Sequence, residues 1–276
     1  MSTEASKTRS GRRHRSASSV VPSKRSVNYH DLRNPFPPME VFSADQVTAI
    51  HETSLRTLEE LGMKVLLPEA IEIYRKGGAR VVDDMVYIGR DMVKAALTTA
   101  PKSIQGRAGA RAKDLTFEMG RMIFQPGAGA PHATDLVRGR RPASATDYIE
   151  YTKLNQHFDV LQMLSPSVEP QDVATNVRHY FTTEAQLTLS DKFPFVFSRG
   201  TPQVIDCFEM LRDFRGVSDA EFSANPYCYT VINTNSPRTL DIPMAQGLID
   251  FAKQGQMSII TPFTLMGAMA PITVAG

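Results

Sequence analysis

The residues of this chain that could do chemistry are polar yet nearly uncharged, and they recur where apolar runs end. Gln125 follows Met122-Ile-Phe124, Ser165 follows the run from Val160 to Leu164, and Ser198 and Arg199 follow Phe193 to Phe197. Asn233 and Asn235 follow Tyr227 to Ile232, and Thr261 ends the run from Ser258, with Phe263 just beyond. One arginine and no carboxylate make poor material for paired-carboxylate hydrolysis or a divalent-metal site. Neutral amides and hydroxyls can orient a ligand, and Phe195, Phe197, Tyr229 and Phe263 could present ring faces to a cationic one. A plainer reading stands beside this one. Alternating Phe193, Phe195 and Phe197 make a core stripe, and Asn235-Ser-Pro237 also reads as a helix cap. His132 follows Gly-Ala-Pro in a flexible stretch and reads mainly as a surface histidine, while His51, His157 and His179 lie apart within helical patterns. Arg138-Gly-Arg-Arg141 reads as a turn with solvated charge, with an anion contact as the alternative. No Gly-x-Ser-x-Gly elbow, phosphate loop or His-Glu-x-x-His motif is present.

Those positions need a scaffold that delivers strand ends to one place. Ser43 before the stripe Val47, Ile50, Leu55, Leu58 and Leu61, closed by Gly62, predicts a first helix. A helix from Pro68 to Lys76, a hairpin over Val81 to Ile88 and a helix from Asp91 to Thr99 follow. A hairpin-like stretch runs from Leu115 to Gly139. Thereafter helices over Thr146 to His157, Asp172 to Leu189, Pro202 to Phe214 and Thr239 to Lys253 alternate with strands starting near Val160, Phe193, Tyr227 and Ser258. That rhythm means βα units and a parallel sheet; without a Gly-x-Gly-x-x-Gly turn it fits an α/β (β/α)8 TIM-type barrel better than a dinucleotide fold. The expected organisation is a basic disordered tail over 1–27, a helical and hairpin cap over 28–114, and a partial barrel over 115–276. Fewer than eight units are present, and Pro271 is placed to open a helix that does not follow, so the sequence reads as the front part of a longer chain that would be inactive alone.

Composition narrows the classes. At 276 residues, 42% of them hydrophobic, the chain can bury a large core. The net charge of +2 conceals an asymmetry: seven basic residues and one acid precede Asn28, so the remainder is mildly acidic. The Ser/Arg-rich tail cannot fold alone and reads as a solvated arm, with an acidic or nucleic-acid contact and a transit peptide as alternatives. It has no apolar core of secretory-signal length, and no apolar run of membrane-spanning length occurs. Cys207 and Cys228 lack metal or redox spacing and read as small buried hydrophobes, which points to a cytoplasmic, reducing location.

Several stretches together resemble one family, the trimethylamine methyltransferase (MttB-like) corrinoid-dependent methyltransferases. They are Ile50-His-Glu-Thr-Ser-Leu-Arg-Thr-Leu-Glu-Glu-Leu-Gly62, Ala79-Arg-Val-Val-Asp83 with Tyr87-Ile88, Ala100-Pro101, Arg140-Arg-Pro-Ala-Ser-Ala-Thr-Asp147, Asn233-Thr-Asn-Ser-Pro-Arg-Thr-Leu240 and Met266-Gly-Ala-Met-Ala-Pro-Ile-Thr-Val-Ala-Gly276. The resemblance implies a TIM-type barrel acting on a methylated amine: trimethylamine, glycine betaine or a related quaternary amine. It implies methyl transfer to the Co(I) of a corrinoid (cobalamin) carried by a partner protein, with no cofactor or metal bound by this chain itself. Members acting on trimethylamine carry pyrrolysine in a portion this sequence does not include. The substrate-binding residues expected on this basis are Gln125, Arg199, Tyr229, Asn233, Asn235, Thr261 and Phe263, with Arg199 available to a substrate carboxylate; catalytic residues are not assigned. A homo-oligomer is compatible with this reading, whereas nucleic acid and membrane are not expected partners. The rivals are a non-catalytic quaternary-ammonium binding module, an inactive fragment, and a nucleic-acid-associated protein acting through its tail.

Overall fold

The computed structural model describes residues 28–37, 39–127, 129–235, 237–262, 264–269 and 272. The tail expected over 1–27, the helix start expected at Pro271, Ser236 and the candidate Phe263 lie outside the described residues.

The first part builds a small layer of its own. Helix α1 (Ala44–Arg56) starts on a capping box in which Ser43 accepts from the Gln46 backbone and Gln46 answers to the Ser43 N–H. It runs into a wider turn (Thr57–Leu61) and stops at Gly62. Gly62 has φ +68, and a Cβ there would lie 2.7 Å from the Val86 carbonyl oxygen, so only glycine fits. The expected stripe is only partly used. Leu55 is buried, but Val47, Ile50 and Leu61 stay exposed, because α1 sits at the margin and packs on a single neighbouring helix. Strand β1 (Met63–Val65), helix α2 (Pro68–Lys76), strands β2 (Arg80–Val82) and β3 (Met85–Tyr87), and helix α3 (Arg90–Thr99) follow.

Strand β4 (Ser103–Gly106) pairs antiparallel with β5 (Leu115–Glu118), and β6 (His132–Asp135) with β7 (Gly139–Pro142). The single hairpin expected over Leu115 to Gly139 is therefore two halves of two hairpins. The first straddles the junction expected at residue 114.

Helices α4 (Ala145–His157), α5 (Arg178–Leu189), α6 (Thr201–Arg215) and the short α7 (Asp219–Ala224) lead to strand β8 (Tyr229–Ile232). The expected helix start at Thr239 is instead strand β9 (Thr239–Leu240), which adds parallel to β1 in the order β2-β3-β1-β9. Helix α8 (Ile242–Lys253) begins only after Asp241, whose carboxylate accepts from the Met244 N–H, and it leads to β10 (Met257–Ile260). The segment from residue 172 to 177, expected as the first turns of a helix, is irregular, and α5 starts at Arg178.

Four segments run side by side in parallel. Met163 bridges Phe193, Phe195 bridges Tyr229, and β8 pairs with β10 in register from Tyr229↔Met257 to Ile232↔Ile260. Side chains alternate between two buried faces, as a parallel sheet requires. Met163, Phe193, Phe195, Tyr229 and Met257 share one core, while Val196, Cys228, Val204, Phe208 and Phe251 share another beneath the helices. Among the described residues no sheet closes on itself.

The segments at residues 160–164 and 193–197 are not regular strands, and the reason is local. Pro194 has no N–H to give a ladder, and buried glutamines take over the pairing. Gln186 accepts from the Phe195 N–H and donates to the Phe195 carbonyl, both at 2.9 Å. Gln162 accepts from the Phe124 N–H at 2.7 Å and donates to the Tyr29 carbonyl at 2.5 Å. Lys192, buried, donates to the carbonyls of Asn155 and Phe158 at the end of α4, and burial pushes its pKa down to about 8.

Candidate functional site

At the carboxyl ends of the parallel segments lies a cavity of about 230 Å³. Four of the seven expected substrate-binding residues meet on its wall, Gln125, Arg199, Tyr229 and Asn233, together with Ser165, Ser198, Phe195 and Phe197. Its size falls below the ~300–1,000 Å³ of sites for drug-sized ligands, so it suits a smaller occupant.

One side of the wall is aromatic. Phe195 lies edge-on to Phe197 (centroids 4.9 Å, interplanar 88°) and to Tyr229 (5.3 Å, 79°). Of the phenylalanine stripe, Phe193 is fully buried in the core beneath, and Phe195 and Phe197 line the cavity.

The Tyr229 hydroxyl lies 2.5 Å from both the Leu164 carbonyl oxygen and Gln125 Oε1. One phenolic proton serves one acceptor. Burial pushes the Tyr229 phenol far above its usual pKa, so it stays protonated.

The rim carries donors. Thr261 Oγ1 donates to Asn233 Oδ1 at 2.6 Å, which leaves the Asn233 NH₂ without a partner among the described residues. The half-exposed Arg199 guanidinium lies 4.1 Å from the Phe197 ring centroid and donates to Glu169, which also faces Arg178 at 3.6 Å. Thr230, whose Oγ1 is buried without a hydrogen-bond partner, also lines the cavity.

The other expected residues fall elsewhere. Thr261 is off the wall and acts through Asn233. Asn235 exchanges backbone hydrogen bonds with Thr239 and donates to Asp241 at 2.6 Å, so it supports the start of α8. His132 sits in β6 rather than in a loop. His179 bonds Asp206 at 2.9 Å and lines a smaller adjoining cavity of about 90 Å³ with Glu169 and Arg178. Arg138 and Arg141 are tied into ion pairs with Asp135, Glu150 and the buried Asp147, a part-buried network rather than freely solvated charge. Both cysteines are buried, and burial pushes the Cys207 thiol up to about 11. No cluster of three or more metal-ligating side chains occurs, and no helix is long and apolar enough to cross a membrane, among the described residues.

Neither Met244, on the cavity wall, nor Glu169, which lines the adjoining cavity, is singled out from the sequence. Met244 arrives from α8, and Glu169 orients Arg199 from the loop four residues past Ser165. For Glu169 the available signal was an acidic residue shortly after a strand end.

Gly247 sets the distance between α8 and the loop. A Cβ there would lie 2.4 Å from Ser198 Cβ. Gly247→Ala is expected to displace Ser198, lower stability by about 1–3 kcal/mol in chemical denaturation and weaken ligand binding with it. An unchanged midpoint would show that this contact yields freely.

A small cavity with an aromatic side and a donor rim that includes one arginine lies at the ends of parallel strands, and its lining suits a small polar organic ligand. The sequence profile of the trimethylamine methyltransferase (MTTB) family matches residues 6–276, and the chain belongs to that family. It is 29% identical over 245 residues to a glycine betaine methyltransferase of Desulfitobacterium hafniense (strain Y51), covering 87% of this chain and 50% of that protein. It is 25% identical over 238 residues to trimethylamine methyltransferase MttB of Desulfitobacterium hafniense (strain DSM 10664 / DCB-2), covering 85% and 48%. It is 29% identical over 124 residues to an L-carnitine:corrinoid methyltransferase of Eubacterium limosum, covering 45% and 25%. The chain spans about half the length of the first two relatives.

Proposed function

We propose that this chain builds the substrate-holding part of a methyltransferase that moves a methyl group from a carboxylate-bearing quaternary amine, the betaine class, to the Co(I) of a corrinoid on a partner protein. The cavity's polarity carries this reading. Phe195, Phe197 and Tyr229 supply ring faces for a cation, and Arg199 and Asn233 supply donors for a carboxylate at the rim. Glycine betaine and L-carnitine, which name two of the relatives, carry both groups; trimethylamine carries no carboxylate. The parallel run from Met163 to β10 supports a (β/α)8 wall with the cavity at its carboxyl end.

The corrinoid supplies the nucleophile that accepts the methyl group. As the methyl carbon leaves nitrogen, both electrons of the C–N bond stay on nitrogen. A quaternary ammonium therefore departs as a neutral tertiary amine and needs no proton donor. The wall residues then have three tasks: to strip water from the cation, to replace it with ring faces, and to fix the carboxylate so that one methyl points out of the cavity.

The test is to mix the protein with glycine betaine and a reduced corrinoid protein. Loss of the Co(I) absorbance with equimolar dimethylglycine is expected; tight binding without that loss would leave a binding module. Arg199→Met is expected to weaken glycine betaine about tenfold (about 1.4 kcal/mol for a charged hydrogen bond at a half-exposed side chain) and tetramethylammonium less than about twofold. Equal losses for both ligands would remove the carboxylate role.

A further inference from the structure

A second polar cleft, of about 370 Å³, lies at the opposite end of the strands, before β8 rather than after it. It is bounded by the β4–β5 loop, the end of α6 and the segment from Asn225 to Tyr227, and three arginines face it: Arg107, Arg111 and Arg215. Two carboxylates face it too, but both are taken. Asp114 accepts from Arg107 Nη1 and from the Ala108 N–H, each at 2.9 Å. Glu221 accepts from the Tyr227 hydroxyl at 2.9 Å.

Arg215 is left over. Its Nε is buried without a hydrogen-bond partner, and no carboxylate among the described residues pairs with its guanidinium. Its Cζ lies 5.6 Å from the Phe214 ring centroid. Burial lowers its pKa against the smaller opposing pull of Tyr227, Asp191 and Asp114, as for a cation taken partly from water with no carboxylate bonded to it. Exposed Arg111, on the turn Arg111–Lys113, likewise makes no side-chain ion pair or hydrogen bond among the described residues. A half-buried guanidinium whose buried Nε is free is costly unless something accepts from it, and its fork matches two oxygens of one group.

We propose that this cleft binds a small oxyanion, held side-on by Arg215 and capped by Arg111, at a site separate from the aromatic cavity. Phosphate and carboxylate share the needed chemistry, and the experiment separates them. The 276-residue protein is titrated with sodium phosphate and, separately, with sodium acetate, ionic strength being matched with sodium chloride. Calorimetry and thermal melts are the readouts.

The expected result is a saturable heat and a melting temperature that climbs with the logarithm of one anion's concentration, as binding to the native state alone requires. A response to phosphate identifies a phosphate-class ligand, and a response to acetate alone identifies a carboxylate. Arg215→Gln should abolish the response. Arg111→Gln, at an exposed position that leaves folding untouched, should weaken it by about tenfold, as losing one charged hydrogen-bond donor does. Arg199→Met, in the other cavity, should leave it intact. If neither anion does more than chloride, or if Arg111→Gln and Arg215→Gln both bind like the parent protein, the proposal is overturned.

Discussion

Gln186→Leu is expected to cost about 2–6 kcal/mol of folding stability, because two buried backbone groups lose their partner and each orphan costs about 1–3 kcal/mol. Those groups are the N–H and carbonyl of Phe195, which the Gln186 amide holds at 2.9 Å each in place of a neighbouring strand. Leucine recovers some apolar burial but offers no donor or acceptor. The loss should appear as a lower urea midpoint with an unchanged slope, since the extent of surface exposed on unfolding stays the same. Gln186→Glu keeps the acceptor for the Phe195 N–H and replaces the donor with a buried charge facing a carbonyl, so it should be at least as harmful. Phe195 also lines the cavity, so ligand binding should fall in both variants even where the protein remains folded. A cost below about 1 kcal/mol would mean that the Phe195 backbone finds other partners, as a continuous ladder would allow.

That exchange of ladder for side chain also explains why some of the fold was legible in the sequence and some was not. Helix α2 starts at Pro68, and α8 starts after Asp241 with Pro243 in its first turn, so proline and a capping carboxylate mark the boundaries chemically. The start of α8 was nevertheless placed at Thr239, because the short strand β9 owes its existence to a distant partner, β1. The same holds for β5, which pairs back to β4 and not forward: period-2 patterning marks a strand but does not choose its neighbour. In the site, position was the useful signal. Arg199, Asn233 and Gln125 follow apolar runs and meet in one cavity. Thr261 and Asn235 occupy equivalent sequence positions, yet they bond Asn233 and Asp241 instead. Glu169 carries only the weak mark of an acid after a strand end, because its role exists through its contact with Arg199, 30 residues away.

The aromatic side of the cavity is expected to prefer glycine betaine over 3,3-dimethylbutanoate, its uncharged-headgroup isostere, by about 30-fold, from a desolvated cation–π contribution of about 2 kcal/mol. The sign of this preference is the test. In a merely apolar pocket the carbon isostere binds tighter, because a tert-butyl group leaves water more readily than a trimethylammonium group does. Only rings that present their negative faces to the headgroup reverse that order. Both ligands carry the same carboxylate, so whatever Arg199 and Asn233 contribute cancels in the ratio. Phe197→Leu then isolates the ring. Phe197 packs against the buried core without belonging to it, and leucine keeps most of the apolar bulk, so folding should survive. The betaine-to-isostere ratio should fall several-fold, even though the variant also removes the surface under the Arg199 guanidinium. Parallel titrations of the two ligands into parent and variant protein give the four dissociation constants needed. A parent ratio at or below one would mean that the cavity is an apolar slot, and the cationic headgroup would have to be recognised somewhere else.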